Sequence, residues 1–426
     1  MGHRPHSTKT RNIGFVSTRL AGTDGVSLET EKWASVMERE GFECYYCAGE
    51  LERPPERAFL IETAHFSHPE IQKIHGKAFG TQARERATSE AIHQHARALK
   101  DALYAFVERY DIHVLIPENA LTIPLNIPLG IALTQLIAET GISTVAHHHD
   151  FYWERARFMV NSVSDYLRMA FPPVLPSLEH IVINTEAQAQ LSLRTGVSSR
   201  VIPNVMDFAT PPPALDAYAS DARKALGIGD DELLILQPTR VVQRKGIEHA
   251  IELVSRLGRK AKLVISHASG DEGYDYERRL REYSDLMQVD TLFVSDIIDE
   301  RRGTTSDGRK IYTLQDIYPH ADLVTYPSTF EGFGNAFLET LYFRKPIVVN
   351  AYSIYTKDIK PKGFSVIELD GYVTHAAVEQ TLRVLDDAAY RRQMVERNYA
   401  LGQQHFSYAV LHRSLREYMA EHHWLA

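Results

Sequence analysis

Only two cysteines occur in 426 residues, so no disulfide framework holds this chain together. Cys44 and Cys47 have CxxC spacing, but they lie in a stretch, 42–47, that reads as a buried strand. An offset of three there puts the thiols on opposite faces, and no second cysteine pair exists to complete a zinc site. No run approaches the roughly 18–20 apolar residues that a membrane-spanning helix needs. The opening stretch has no apolar signal core, so an integral membrane segment is not expected and a cytoplasmic location is. A basic excess is missing too: the formal charge is −8, which speaks against a surface built for nucleic acid. Any anionic ligand must therefore be held by a local cluster. Repeats of solenoid type are also lacking.

What remains is an ordinary globular composition, 44% hydrophobic and 24% charged, in a chain too long for one core. Short β-branched runs alternate with amphipathic stretches, the pattern of parallel βαβ units in an α/β fold. Strands are expected at 13–17, 42–47, 112–116, 142–146 and 180–184, with helices at about 27–40, 84–110 and 125–140. Residues 203–220, with three consecutive prolines at Pro211 to Pro213, read as a linker. A second series of strands follows at 233–237, 262–265, 291–294, 323–326, 347–350 and 365–368. The chain is almost wholly helical from about residue 390.

The richest stretch for chemistry runs from Tyr326 to Glu339. A strand ends, a loop carries Glu331, Gly332, Phe333 and Gly334 follow, and a helix is expected to open near Asn335. Free amides and the positive end of the helix dipole suit a phosphate, and the glycines let the backbone approach it. A carboxylate beside a diphosphate needs hydroxyl donors, which assigns Glu331 to a hexose and Glu339 to a ribose. In the second stretch, Leu233 to Gly246, a strand feeds a loop carrying Arg240 and Lys245, where ligands gather in α/β sheets. A guanidinium and an ammonium can neutralise a diphosphate leaving group without metal. Arg244 is expected to be solvated.

Together these stretches resemble the family 4 retaining glycosyltransferases of the GT-B fold, relatives of glycogen synthase, sucrose-phosphate synthase and trehalose-forming transferases. The paired glutamates of that family correspond to Glu331 and Glu339, and its Arg-x4-Lys-Gly loop to Arg240, Lys245 and Gly246. The resemblance implies two Rossmann-like domains facing a central cleft. Residues 1–205 form an acceptor-side domain, joined by a crossing helix at about 407–426, and residues 206–406 form the nucleotide-sugar domain. It implies that Glu331 meets the hexose, Glu339 the ribose, and Arg240 and Lys245 the diphosphate, with anomeric configuration retained. The stretch Gly22 to Ser27 resembles the glycine loop of the family, which carries Gly25 over as a donor-binding residue. Family members often place a histidine at the strand end that here holds His147, His148 and His149; His149 paired with Asp150 is preferred.

Alternate residues at a strand end share a face, so His147, His149 and Asp150 also permit a metal reading. The expectation is nonetheless no essential metal and no cofactor. No Asp-x-Asp triplet occurs, which weakens the rival GT-A reading, where such a triplet holds a divalent ion. The family departs from this chain at 266–270, where Ser266-His267-Ala-Ser-Gly270 replaces a glycine, and at Asn335-Ala336, which replaces Leu-Pro.

The expected function is transfer of a hexose from GDP-mannose, UDP-glucose or ADP-glucose to a small acceptor, itself a sugar or an anion. Arg19, Trp153, Arg155 and Arg157 are the acceptor candidates, combining guanidinium forks with an aromatic face. Rival readings are a nucleotide-sugar epimerase, a phosphorylase of the same fold, and a non-catalytic nucleotide-sugar sensor. Oligomeric state is left open.

Overall fold

The computed structural model describes residues 11–22, 24–269, 273–422 and 424. It divides into two compact units, Met1–Pro203 with Leu411–Ala426, and Asn204–Val410. The boundaries fall two residues before the expected 205/206 junction and four after the expected 406/407 junction.

The first unit carries seven strands: β1 Asn12–Val16, β2 Glu43–Ala48, β3 Ala58–Leu60, β4 Ile112–Pro117, β5 Ser143–His148, β6 Leu178–Val182 and β7 Arg200–Val201. They form one parallel sheet in the order β3-β2-β1-β4-β5-β6-β7. β3 and the helix Pro69–Ala78 were not expected. Both lie between residues 49 and 83, where polar and turn-forming residues interrupt any apolar period. Helices here start and stop where local chemistry says they should. In Ile127–Thr140, the Asn126 side chain accepts from Leu129 N, Pro128 occupies the first turn, and Gly141 closes the end at φ 63°. Cys44 and Cys47 are free and buried, and burial pushes both thiols well above their ordinary range, which leaves them unreactive.

The second unit carries β8 Leu233–Gln237, β9 Ala261–Ile265, β10 Asp290–Phe293, a small antiparallel pair β11 Gly303–Thr304 and β12 Lys310–Ile311, then β13 Leu323–Tyr326, β14 Ile347–Asn350 and β15 Ile367–Leu369. Its main sheet is parallel in the order β10-β9-β8-β13-β14-β15. β8 and β13 to β15 are nearly continuous apolar runs, as strands covered on both faces require. The helix Ile247–Leu257 buries Ile247, Ala250, Ile251, Val254 and Leu257, one stripe at helical spacing. Each such Leu, Ile or Val contributes roughly 1.5–3 kcal/mol.

In both sheets the strand order reverses once, between β1 and β4 and between β8 and β13. Chain leaving the carboxyl ends of these neighbours must diverge to opposite faces, which opens a crevice there. Loops carrying the charged motifs follow those very strands. Among the described residues, no helix is long and apolar enough to cross a membrane.

Candidate active site

In the second unit, the loop after β8 and the loop after β13 are zipped together. Thr329 donates to the Arg244 carbonyl from its backbone N at 2.8 Å and its hydroxyl at 3.1 Å, and Arg244 Nη1 donates to the Phe330 carbonyl at 3.2 Å. Gly246 permits this approach. It sits at φ 57°, and a Cβ there would come within 2.5 Å of the Pro327 carbonyl oxygen. The zipper brings Lys245 Nζ into an ion pair with Glu331 Oε1 and Arg244 Nη1 to 3.3 Å from Glu331 Oε2.

Arg244 thus corrects the expectation that it is solvated. Its side chain is only 35% exposed, and it partners the glutamate of the motif. Glu331 is buried, which by itself would raise its carboxyl, but Lys245 and Arg244 outweigh burial and hold it below the ordinary carboxylate range. Arg240 is exposed on the same loop. Glu331 thus meets two cations, Lys245 and Arg244, and Arg240 acts on Lys245 from the same loop, so positive charge gathers where the two loops are zipped.

Gly334 begins the helix Asn335–Tyr342 at φ 122°, and a Cβ there would lie 2.7 Å from the Tyr352 hydroxyl. Tyr352 in turn donates to the Phe333 carbonyl at 2.9 Å, which pins the glycine-rich loop. Asn335 accepts from Asn204 Nδ2 at 2.9 Å. Glu339 lies one turn into the helix, half-buried, and accepts from the Tyr318 hydroxyl at 3.1 Å. Beyond β9, Ser266 donates to or accepts from His267 Nδ1 at 2.8 Å, and Gly270 lies outside the described residues.

In the first unit, the loop after β1 carries Gly25 as the first residue of the helix Gly25–Arg39. Asp24 caps that helix, accepting from the amides of Val26 at 3.0 Å and Ser27 at 3.3 Å, and Arg19 pairs with Asp24 at 3.1 Å. Two of the amides that the glycine-loop reading offers to a diphosphate are therefore occupied by the protein's own carboxylate. Thr23 lies outside the described residues.

The three histidines at the end of β5 separate by strand alternation. His148 points one way, with Nε2 2.8 Å from His180 Nδ1, both rings buried. His147 and His149 share the other face and meet a residue that the motifs did not flag, Glu118, the first residue after β4. Its Oε2 lies 2.9 Å from His147 Nδ1 and 3.2 Å from His149 Nε2. Burial pushes the Glu118 carboxyl up to about 7, partly offset by His149, and pushes His147 down to about 4. The expected pairing of His149 with Asp150 gives way to this one. Asp150 instead accepts from Asn119 Nδ2 at 2.9 Å and from Arg155 Nε at 2.7 Å. A carboxylate after a strand leaves a single acidic residue as its only trace in the sequence, so nothing pointed to Glu118.

Glu118, His147 and His149 place one ligand atom each within 4.8 Å of one another, the donor set of a facial metal site. Asp150 is not part of that set. Both imidazole nitrogens also sit at hydrogen-bond distance from one oxygen, the arrangement of a carboxylate accepting two N–H bonds.

Of the acceptor candidates, Arg155 is exposed and tied to Asp150, and Arg157 is exposed with its guanidinium 4.8 Å from the Phe158 ring centroid. Trp153, expected to offer a face to a sugar, stacks on Phe151 at 4.4 Å, and the Arg194 guanidinium lies 5.2 Å from its ring centroid. Its ring is engaged within its own unit.

No family model matches the chain. It is 32% identical to a mannosylglucosylglycerate synthase of Thermotoga maritima over 93% of its length and 96% of that protein. To a mannosylglucosylglycerate synthase of Petrotoga mobilis it is likewise 32% identical, over 84% of this chain and 86% of that one. Among solved structures, a sucrose-phosphate synthase from Thermosynechococcus elongatus superimposes with a TM-score of 0.69 at 16% identity, covering 98% of this chain and all of that one. Two parallel α/β sheets, a cation-rich loop pair at the switch point of the second, and these relatives converge on one assignment. The chain belongs with the mannosylglucosylglycerate synthases, as a hexosyltransferase of the family 4 type with the GT-B fold.

Proposed function

We propose that this enzyme is a retaining mannosyltransferase that moves mannose from GDP-mannose to glucosylglycerate, an anionic sugar acceptor. The observation that carries this reading is the pairing of Lys245 and Arg244 with the motif glutamate Glu331, in a chain that matches mannosylglucosylglycerate synthases over nearly its whole length. Of the nucleotide sugars the motifs allow, GDP-mannose is the one that supplies the mannosyl group in the product those relatives are named for.

Under this reading Lys245, Arg240 and the first amides of the helix Asn335–Tyr342 take up the charge that develops on the leaving diphosphate. Glu331 accepts from hexose hydroxyls while keeping Lys245 and Arg244 in place, and Glu339 accepts from the ribose. His149 contacts a hydroxyl of the hexose. The transition state is oxocarbenium-like. The acceptor attacks from the face the diphosphate leaves, the new glycosidic bond forms as the bond to the diphosphate oxygen breaks, and that oxygen takes the acceptor's proton. Arg19, Arg155 and Arg157 are the candidates to grip the glycerate carboxylate bidentately, Arg19 and Arg155 by exchanging their present partners Asp24 and Asp150 for it. No metal is assigned a step.

The test is product analysis with purified enzyme, GDP-mannose, UDP-glucose or ADP-glucose as donor, and glucosylglycerate as acceptor, with and without EDTA. An α-mannosyl product from GDP-mannose, formed equally well in EDTA, is expected. A β-linked product would overturn retention, turnover without acceptor would favour an epimerase, and loss of activity restored by magnesium or manganese would overturn the metal-free route.

A further inference from the structure

Glu118 is a costly residue. It is fully buried, one of its oxygens, Oε1, has no hydrogen-bond partner, and no cation pairs with it among the described residues. A buried carboxylate so poorly compensated costs the fold stability, so its presence calls for a reason other than stability. Its other oxygen serves two imidazoles, and only one of them reaches the surface: the His147 side chain is 1% exposed and that of His149 10%.

The hydrogen bonds fix which proton each ring carries once Glu118 is ionised, above about pH 7. An ionised carboxylate can only accept, so His147 then donates from Nδ1–H and His149 from Nε2–H. For His147 this leaves Nε2 a bare lone pair, in agreement with that atom being buried without a partner while the ring stacks on Trp33 at 4.1 Å. For His149 it leaves Nδ1 as the lone-pair nitrogen.

The next residue completes the mount. Asn119 adopts φ 56°, its backbone N donates to the His147 carbonyl at 2.9 Å, and its side-chain oxygen accepts from His149 N at 3.1 Å. Ser17 Oγ donates to the Glu118 carbonyl at 2.9 Å, which ties the loop after β4 to the end of β1. Ring and backbone of His149 are thus both held from the Glu118-Asn119 dipeptide.

We infer that Glu118 is a positioning residue, which locks His149 as the Nε2–H tautomer so that Nδ1 is presented as a hydrogen-bond acceptor to a hydroxyl of the sugar substrate. This rests on the assignment of His149 to the hexose. A Gln at 118 keeps the shape, but its amide can turn an N–H toward His149, which selects the opposite tautomer and replaces the acceptor by a donor.

Three measurements test it. Long-range ¹H–¹⁵N NMR of the wild-type protein should show His149 protonated at Nε2 and bare at Nδ1, and the reverse would overturn the inference without any variant. Glu118→Gln should lower kcat about 10–100-fold, as loss of a partner that orients a functional imidazole commonly does, with KM for GDP-mannose changed less than threefold. In an His149→Ala background, Glu118→Gln should cost nothing further, because the two act as one unit. If His149→Ala is itself fully active, the assignment of His149 to the hexose fails. If His149→Ala is impaired while Glu118→Gln shows the opposite tautomer and yet retains wild-type kcat, the assignment stands and the positioning role fails. Stoichiometric bound zinc or iron lost on Glu118→Gln would also overturn it, in favour of a metal site at the same three residues.

Discussion

Each unit buries one glutamate beyond the strand on the far side of its switch point, Glu118 after β4 and Glu331 after β13, and the two are satisfied by opposite chemistry. Glu118 is held by two imidazoles, Glu331 by an ammonium and a guanidinium. Neutral donors fix the position of a carboxylate but add no charge to their surroundings. Cations in excess fix it and leave a positive field behind. By that difference the Glu331 site gathers positive charge, which suits the diphosphate proposed for it, whereas the Glu118 site presents neutral rings. The same residue type, in equivalent topology, is met by charge in one place and by neutral rings in the other.

The largest effect is expected at Glu331. Glu331→Gln leaves Lys245 buried without its counter-charge, which costs about 3–5 kcal/mol of stability. We expect kcat to fall about 100–1,000-fold. Affinity for GDP should hold or tighten, because a negative charge leaves the site. Weaker GDP binding, read by calorimetry, would make the two glutamates alike and end the comparison.

The pH dependence of stability sharpens it further, because the two carboxyls are displaced in opposite directions. Glu118 is raised to about 7, so the folded state binds its proton more tightly than the unfolded chain. Its ionisation therefore costs stability between about pH 4.5 and 7, up to about 3 kcal/mol in total. Glu331 is lowered, so its contribution is present above the unfolded pKa of about 4.5 and is lost as pH falls through the folded value. Denaturant titrations from pH 4 to 8 should show Glu118→Gln gaining on the wild type as pH rises, and Glu331→Gln falling behind it. Parallel curves would mean that both glutamates sit in equivalent fields.

Within the second unit, Glu339→Ala should weaken GDP binding about 10–100-fold through the lost charge-assisted hydrogen bond, with a smaller effect on kcat. Unchanged affinity would remove the ribose contact. Smallest of all, Arg155→Ala or Arg157→Ala should raise KM for glucosylglycerate about two- to fivefold and leave that for GDP-mannose alone, as suits exposed guanidinium groups. If neither moves it, the acceptor carboxylate is held elsewhere in the first unit, with Arg19 as the next residue to vary.

How much of this was legible depended on range along the chain. β8, β13 and β14 begin and end where their apolar runs do, at 233–237, 323–326 and 347–350. By contrast, β3 and the β11–β12 pair have too few residues to show a period, and they exist because neighbouring strands and side chains such as Tyr218, which donates to the Gly303 and Ile311 carbonyls, hold them. The charged motifs were equally plain, since Arg240, Lys245, Glu331 and Glu339 each sit in a loop or helix start whose glycines announce it. Partnerships were not. Arg244 looked like one more surface cation, and Asp150 looked like the natural neighbour of His149.

What the sequence determined by itself was local and periodic: strand positions, helix caps, the glycines that permit close approach, and the order of charged residues in each motif. These follow from sterics and burial of residues near one another in the chain. Only the tertiary structure decided which charges meet. Glu118 reaches His147 and His149 from 29 and 31 positions away, and Lys245 reaches Glu331 across 86. Such pairings are created when parallel strands distant in sequence are laid side by side, and electrostatic interaction falls off with distance in space, to which separation along the chain is no guide.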